Sequence, residues 1–210
     1  MRQIAVTQRV DVISDYGERR DALDQRWMDL LISIDLCPVL VPNNIDFVKR
    51  MLNKETIEGV LLTGGNSLLR YGGDAPERDE VERFLLEWVC EKNIPLLGVC
   101  RGMQMIQDFF NNDLNVISNH VGMRQSLVAE NDCRLSEVVR QYKDVNSYHE
   151  YGSKQVQGQL VRVASSLDGV VMAIEHREKN IFGVMWHSER EPTIRREDRA
   201  LFRKVFMDQE

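Results

Sequence analysis

Four short apolar runs set the fold class. Ile4-Ala5-Val6-Thr7, Pro38-Val39-Leu40-Val41-Pro42, Gly59-Val60-Leu61-Leu62-Thr63 and Ile94-Pro95-Leu96-Leu97-Gly98-Val99 are too short for helices, and the last three carry glycine or proline at or near their ends. Each reads as a strand. The uninterrupted apolarity of the fourth predicts burial on both faces, as in a parallel sheet. Helical patterns separate the runs. Leu23, Trp27, Leu30, Leu31 and Ile34 make a stripe within a helix expected from about Glu18 to Ile34. Ile45 to Leu52 reads as a second helix, and Asp79 to Lys92 as a third with Val81, Phe84, Leu85, Trp88 and Val89 on one side. This alternation predicts an α/β fold, an open and mostly parallel sheet flanked by helices. After about residue 112 the pattern changes to successive strand-like segments: Asn115–Ser118, Ser126–Ala129, Asp144–Ser147, Gln159–Ala164, Val170–His176 and Ile181–Trp186. A helix from Arg196 to Met207 closes the chain. No repeat or low-complexity linker divides the sequence, so residues 1–210 are read as a single domain with a smaller strand-rich second half.

Composition narrows the function classes. Of 210 residues, 27 are basic and 33 acidic, a net charge of −6, which argues against a nucleic-acid or anionic-membrane partner. No apolar run approaches the roughly 18–20 residues of a membrane span. The N-terminus shows no signal-peptide apolar stretch, so a cytoplasmic protein is expected. The four cysteines, Cys37, Cys90, Cys100 and Cys133, form no C-x-x-C pair, and no metal site is expected.

One cysteine has a special setting. In Gly98-Val99-Cys100-Arg101-Gly102 a buried strand runs into Cys100 and a helix follows at once. Flanking glycines permit the sharp turn of a nucleophile elbow. The site then lies at the carboxyl end of the sheet, where open α/β folds place ligands, and the helix N-terminus favours a thiolate. A thiol nucleophile needs a base. Of the four histidines, His120, His149, His176 and His187, His187 closes an apolar strand beside the W-H-S-E run and has a carboxylate, Glu189, two positions on. Residues i and i+2 of an extended chain share a face, so Glu189 can orient the imidazole. His176 reads as a solvated strand end, and His120 has no evident partner. Arg19-Arg20, Arg124 and Arg195-Arg196 read as solvated charges, any of which is available to an anionic leaving group.

These motifs resemble those of the class I glutamine amidotransferases, the Cys-His-Glu group. Gly98-Val99-Cys100-Arg101-Gly102-Met103-Gln104 resembles the nucleophile motif. Trp186-His187-Ser188-Glu189 resembles W-H-P-E with serine for proline, and Leu62-Thr63-Gly64-Gly65 resembles the oxyanion loop. Within the superfamily the γ-glutamyl hydrolase branch is the nearer match, through Val145-Asn146-Ser147-Tyr148-His149, Arg78-Asp79 and Asp168-Gly169-Val170-Val171-Met172-Ala173-Ile174-Glu175, where Met172 replaces the usual acid. The chain departs from the pattern at Asn111-Asn112-Asp113-Leu114 and at His149-Glu150-Tyr151, changes that bear on the identity of the leaving group more than on the catalytic centre.

The resemblance implies a flavodoxin-like, class I glutamine amidotransferase-like fold. It implies Cys100, His187 and Glu189 as catalytic residues, and backbone N–H groups of Gly65 and Arg101 as the oxyanion hole. Gln104, Ser147, Tyr148 and His149 are implied as substrate-binding. It implies hydrolysis of a γ-glutamyl amide through a thioester, with no cofactor and no metal. The expected partner is a small γ-glutamyl molecule, and there is room for a homo-oligomer. The Asp21–Trp27 segment and single-domain length point to γ-glutamyl-CDP-amidate as substrate, giving cytidine diphosphoramidate for capsular polysaccharide. Alternatives are γ-glutamyl-γ-aminobutyrate, a glutaminase that passes ammonia to a separate synthetase, and a non-catalytic sensor on the same fold.

Overall fold

The computed structural model describes residues 1–130 and 132–208. In the first half the elements run β1 (Arg2–Thr7), β2 (Arg9–Ile13), β3 (Glu18–Ala22), α1 (Arg26–Ile32), β4 (Leu36–Val41), α2 (Ile45–Leu52), β5 (Gly59–Leu62), α3 (Pro76–Lys92), β6 (Leu96–Val99) and α4 (Arg101–Phe109). The second half holds β7 (Asn115–Val116), β8 (Val121–Gln125), β9 (Leu127–Ala129), α5 (Ser136–Val139), β10 (Val145–Tyr148), β11 (Tyr151–Gly152), β12 (Leu160–Ser166), β13 (Val171–His176), β14 (Ile181–Val184) and α6 (Arg196–Phe206).

Eight strands form one sheet in the order β4-β1-β5-β6-β14-β13-β12-β9. The pairs from β4 through β14 are parallel, and those from β14 through β9 are antiparallel. The expected α/β fold with a mostly parallel sheet and a strand-rich second half is therefore what the chain adopts. Strands β5, β6 and β14 are buried at every position, which explains their unbroken apolar sequences. Helix α3 starts with Pro76 at its first turn and ends at Asn93, whose φ of +53° is a left-handed conformation that asparagine tolerates.

Two local expectations need correction. Glu18–Ala22 is the second strand of a hairpin, paired with β2 in the register Arg9↔Ala22, rather than the start of a helix. The apolar stripe becomes buried only at Trp27, and residues 18–22 carry four charges and no large apolar side chain to hold a helix on the sheet. His176 is not solvated but 2% exposed. Its Nδ1 accepts the N–H groups of Glu178 and Lys179, both at 3.0 Å, and Nε2 donates to Gln159 Oε1 at 2.9 Å.

Among the described residues, no helix is long and apolar enough to cross a membrane.

Candidate active site

Three adjacent parallel strands end at the same edge of the sheet, and each is followed by one of the motifs. β5 leads into Thr63-Gly64-Gly65, β6 into Cys100, and β14 through Met185 and Trp186 into His187. The register Val99↔Val184 brings the last two strand ends level, and Cys100 N donates to Val184 O at 2.8 Å. Residues far apart in the chain thus meet because their strands are neighbours.

The turn at Cys100 has φ +52° and ψ −105°, a conformation that L-residues rarely adopt and that costs about 1–3 kcal/mol. Close packing over-determines it. A Cβ on Gly98 would lie 2.5 Å from the Gly102 backbone, and one on Gly102 would lie 2.2 Å from Leu62 O. The two glycines therefore let β6, α4 and β5 meet at backbone distance, leaving Cys100 at the helix N-terminus.

His187 is buried, and its Nδ1 lies 2.6 Å from Glu189 Oε1. A carboxylate oxygen accepts, so Nδ1 carries the hydrogen and Nε2 is the nitrogen left for the thiol. Burial alone would lower the His187 pKa. The charge and hydrogen bond of Cys100, joined by Glu189, outweigh it and hold the imidazole up at about 9. A Cβ on Gly64 would lie 2.5 Å from His187 Cε1 and 3.5 Å from Cys100 Cβ, so the glycine is the floor on which the pair rests. Asn146 brackets the histidine backbone: its Nδ2 donates to His187 O and its Oδ1 accepts from His187 N, each at 2.8 Å. Ser188, standing where proline is usual, donates its hydroxyl to Asp198 Oδ1 of α6 at 2.7 Å. Tyr142 donates to the same oxygen at 2.9 Å. The serine thereby ties the histidine turn to α6 by a bond that proline could not make.

Behind the Thr63-Gly64-Gly65 loop lies a buried charge network. Arg78 is 0% exposed. Its Nη1 donates to Gly64 O at 3.1 Å and Gly65 O at 2.6 Å, and its Nη2 to Thr63 O at 2.6 Å. With three consecutive carbonyls turned toward one guanidinium, the peptide planes of the loop are fixed. Glu82 accepts from Arg78 Nε at 2.9 Å, from Thr7 Oγ1 at 2.9 Å and from Arg101, which also meets Asp79. Two arginines thus face two carboxylates, so the buried charge is balanced. Burial pushes Glu82 up, but Arg101 and Arg78 more than offset it and hold the carboxyl below its usual range. Burial, then Arg101, brings Arg78 down to about 10, still protonated at neutral pH.

Gly65, Cys100, Arg101, Gln104, Tyr148, His149 and His187 all line a cavity of about 270 Å³. Gly65 has φ +88°, and its N–H meets no acceptor among the described residues. Arg101 opens α4, where an N–H has no intrahelical acceptor. Gln104 reaches across to donate to Tyr151 O at 2.9 Å. Tyr148 is 46% exposed and sits edge-on to His187, with centroids 5.9 Å apart. His149 Nδ1 donates to Tyr151 O at 3.0 Å, while its buried Nε2 has no partner. Burial first of all lowers its pKa to about 4, so this ring is neutral at pH 7. The Ser147 side chain turns elsewhere, donating to His120 O at 2.7 Å. Glu189 lines a second cavity of about 270 Å³ that adjoins the first at Gly65 and Arg190.

The sequence did not single out Arg78, Glu82 or Asn146 as site residues, nor the pairing of His120 Nε2 with Asp168 at 3.1 Å. Of the arginines considered for an anion, Arg19 is held by Glu77, Arg20 by Glu18, Arg124 by Asp144 and Arg195 by Glu191. No group of three or more His, Cys, Asp or Glu side chains gathers as a metal site among the described residues.

Known proteins are similar to this chain in sequence and in fold. The family model of Peptidase C26 matches residues 4–189. The chain is 33% identical over 193 residues to the gamma-glutamyl-CDP-amidate hydrolase of Campylobacter jejuni, covering 90% of each chain. It is 25% identical over 200 residues to the glutamine-hydrolyzing GMP synthase of Dictyostelium discoideum, covering 90% of this chain and 26% of that one. The crystal structure of a Thermoplasma acidophilum protein, provisionally assigned to GMP synthase, superposes with a TM-score of 0.73 at 18% identity, covering 98% of this chain and 92% of that one.

Proposed function

The chain belongs to the Peptidase C26 family, within the class I glutamine amidotransferase-like group, and on that footing we propose that it hydrolyses a γ-glutamyl amide through a thioester on Cys100. The observation that carries the reading is the convergence of Cys100, His187 and the Gly64-Gly65 loop at three neighbouring strand ends, with Glu189 on the far nitrogen of the imidazole.

In this scheme His187 Nε2 takes the Cys100 proton, and the thiolate sulfur attacks the γ-carbonyl carbon. The carbonyl π pair moves to oxygen, which is held by the N–H groups of Gly65 and Arg101. Collapse restores the carbonyl and expels the leaving nitrogen, which receives the proton from His187. Water then adds to the thioester after giving its proton to His187, and the thiol leaves as glutamate forms. Glu189 keeps the imidazole in the correct tautomer throughout. Arg78 acts as a positioning residue: it lines neither cavity, yet its bonds to the loop carbonyls set where the Gly65 N–H points. Losing one oxyanion donor costs about 3–4 kcal/mol in the transition state.

The glutamyl group occupies the side of the cavity formed by Gln104 and His149. His149 Nε2 is a free acceptor suited to an ammonium, and backbone groups near Ser147 and Tyr148 complete that end. The scheme uses no metal or cofactor, and the 210 residues act as one domain, since strands from both halves share the main sheet. The substrate is γ-glutamyl-CDP-amidate, by likeness to a relative matched over nine-tenths of both chains. On this reading the reaction runs in the cytoplasm, before phosphoramidate decoration of a capsular polysaccharide.

A second reading, a glutaminase serving a separate synthetase, draws on the likeness to GMP synthases. The purified chain decides between them when assayed on glutamine, γ-glutamyl-γ-aminobutyrate and γ-glutamyl-CDP-amidate. Turnover of the last with little of glutamine is the expected result. Turnover of glutamine alone overturns the substrate assignment, and inertness to all three overturns the hydrolase.

A further inference from the structure

Arg190 stands apart from the other arginines near the site. It follows the catalytic histidine by three residues and lines both cavities. Its guanidinium lies over the Tyr148 ring, 5.0 Å from the centroid. Its Nε is 3.5 Å from Glu189 Oε1, an oxygen that His187 Nδ1 already holds at 2.6 Å. Its terminal nitrogens make no hydrogen bond to the described residues, and the side chain is 29% exposed.

The nearby charges are otherwise matched. Asp24 is gripped by Arg26, with Nε and the backbone N–H both 3.0 Å from Oδ1, and Asp11 by Arg9 at 2.7 Å. Glu189 serves His187. Arg190 is the cation in this group whose donors have no acceptor of their own.

Its position fixes what it can meet. The leaving nitrogen must reach His187 to be protonated, so whatever that nitrogen carries lies along the imidazole. Tyr148 packs edge-on to that ring, and Arg190 rests on Tyr148. A group attached to the scissile nitrogen therefore arrives beneath a guanidinium with free donors, at the seam that opens into the second cavity. A planar fork of donors matches phosphoryl oxygens.

We propose that Arg190, seated on Tyr148 at the junction of the two cavities, is the specificity residue that binds a phosphoryl group attached to the scissile nitrogen, and that the rest of the leaving group extends into the cavity bounded by Arg9, Asp24 and Gly65. The proposal rests on the γ-glutamyl hydrolase reading and sharpens it, because it places the leaving-group anion. Arg190 holds the leaving group in the ground state and the transition state alike, so its loss raises KM more than it lowers kcat.

The test compares Arg190→Gln and Arg190→Lys with the parent on two substrates, γ-glutamyl-CDP-amidate and γ-glutamyl-p-nitroanilide, whose leaving group is uncharged. For the glutamine variant, kcat/KM on the phosphoryl substrate falls about 10- to 100-fold, the scale of a hydrogen bond between charged groups. The value on the anilide stays within about twofold, which also reports that the variant is folded. The lysine variant, keeping charge but losing the fork, falls between. An equal fall on both substrates overturns the proposal, because Arg190 would then serve Glu189 or the glutamyl carboxylate; no fall on either overturns it as well. A second readout does not need turnover. CDP slows alkylation of Cys100 by iodoacetamide in the parent and not in Arg190→Gln. If neither substrate is hydrolysed, the hydrolase reading fails on its own, and the alkylation result still decides the anion site: equal protection of parent and variant, or protection of neither, overturns it.

Discussion

The two sides of Cys100 differ in how their charges are satisfied. Behind it, Arg78, Glu82, Arg101 and Asp79 are matched pair by pair, and Arg78 spends its donors on the carbonyls of Thr63, Gly64 and Gly65. In front of it, Arg190 and Tyr148 are half open to solvent, with donors and a ring face to spare. A charge-matched, buried network does not adapt to a ligand, but it holds peptide planes still. An unsaturated surface can adapt to one. On the proposed reading, chemistry common to many γ-glutamyl amides belongs on the first side, and discrimination among leaving groups on the second.

The contrast can be broken from the rear first. Replacing Cys100 by alanine removes the proposed nucleophile and should cut kcat on the order of 10⁴- to 10⁶-fold, with the thermal unfolding midpoint little changed. Next comes Arg78→Lys, whose compact ammonium cannot reproduce the spread fork that reaches Thr63, Gly64, Gly65 and Glu82 at once. If the loop positions an oxyanion donor, kcat on γ-glutamyl-p-nitroanilide drops about 10²- to 10³-fold with KM nearly constant. A rise in KM at unchanged kcat would instead make Arg78 a substrate-side residue.

The pH profile gives a smaller effect with a definite sign. His187 is raised to about 9 with Glu189 among the causes, so kcat/KM should fall as pH rises through about 9, where the imidazolium loses the proton destined for the leaving nitrogen. In Glu189→Gln that falling limb should move to lower pH. A limb that stays in place would separate Glu189 from the histidine. The same raised value links to stability. Relative to an unfolded histidine near 6.5, the folded state gains from protonation below that pH and loses the gain as pH climbs through about 9.

The smallest effect concerns the serine that replaces the usual proline. Ser188→Ala removes the bond to Asp198 and should cost about 1 kcal/mol in denaturant unfolding, with kcat on either substrate nearly unchanged. A large kcat loss without destabilisation would mean that the tie to α6 steers His187 directly.

Legibility in the sequence followed the same divide. Strands β5, β6 and β14 were readable because burial on both faces leaves an unbroken apolar run, and Cys100 and His187 were readable because each ends such a run. Gly98 and Gly102 announced the turn, and the structure supplies the reason: no Cβ fits at either position. The rear network was not readable. Arg78 meets carbonyls some fifteen residues away and Glu82 meets Thr7 across the sheet, contacts that no local spacing encodes. Asn146 lay within a quoted motif, but its grip on the His187 backbone depends on β10 passing beside the strand end. The β2–β3 hairpin was misread because Glu18–Ala22 is charged at four of five positions, and cross-strand pairs such as Asp11↔Arg20 that stabilise it have no signature in a single segment. Arg190 was passed over because nothing in a lone arginine after Glu189 tells whether its donors will be used.

The most direct test of the account is to find where the glutamyl group resides during turnover. Parent protein mixed with γ-glutamyl-CDP-amidate, quenched in acid and digested for peptide mass spectrometry, should carry one γ-glutamyl unit on the Cys100 peptide, and Cys100→Ala should carry none. Turnover with the unit on Cys37, Cys90 or Cys133, or undiminished turnover in Cys100→Ala, would contradict it.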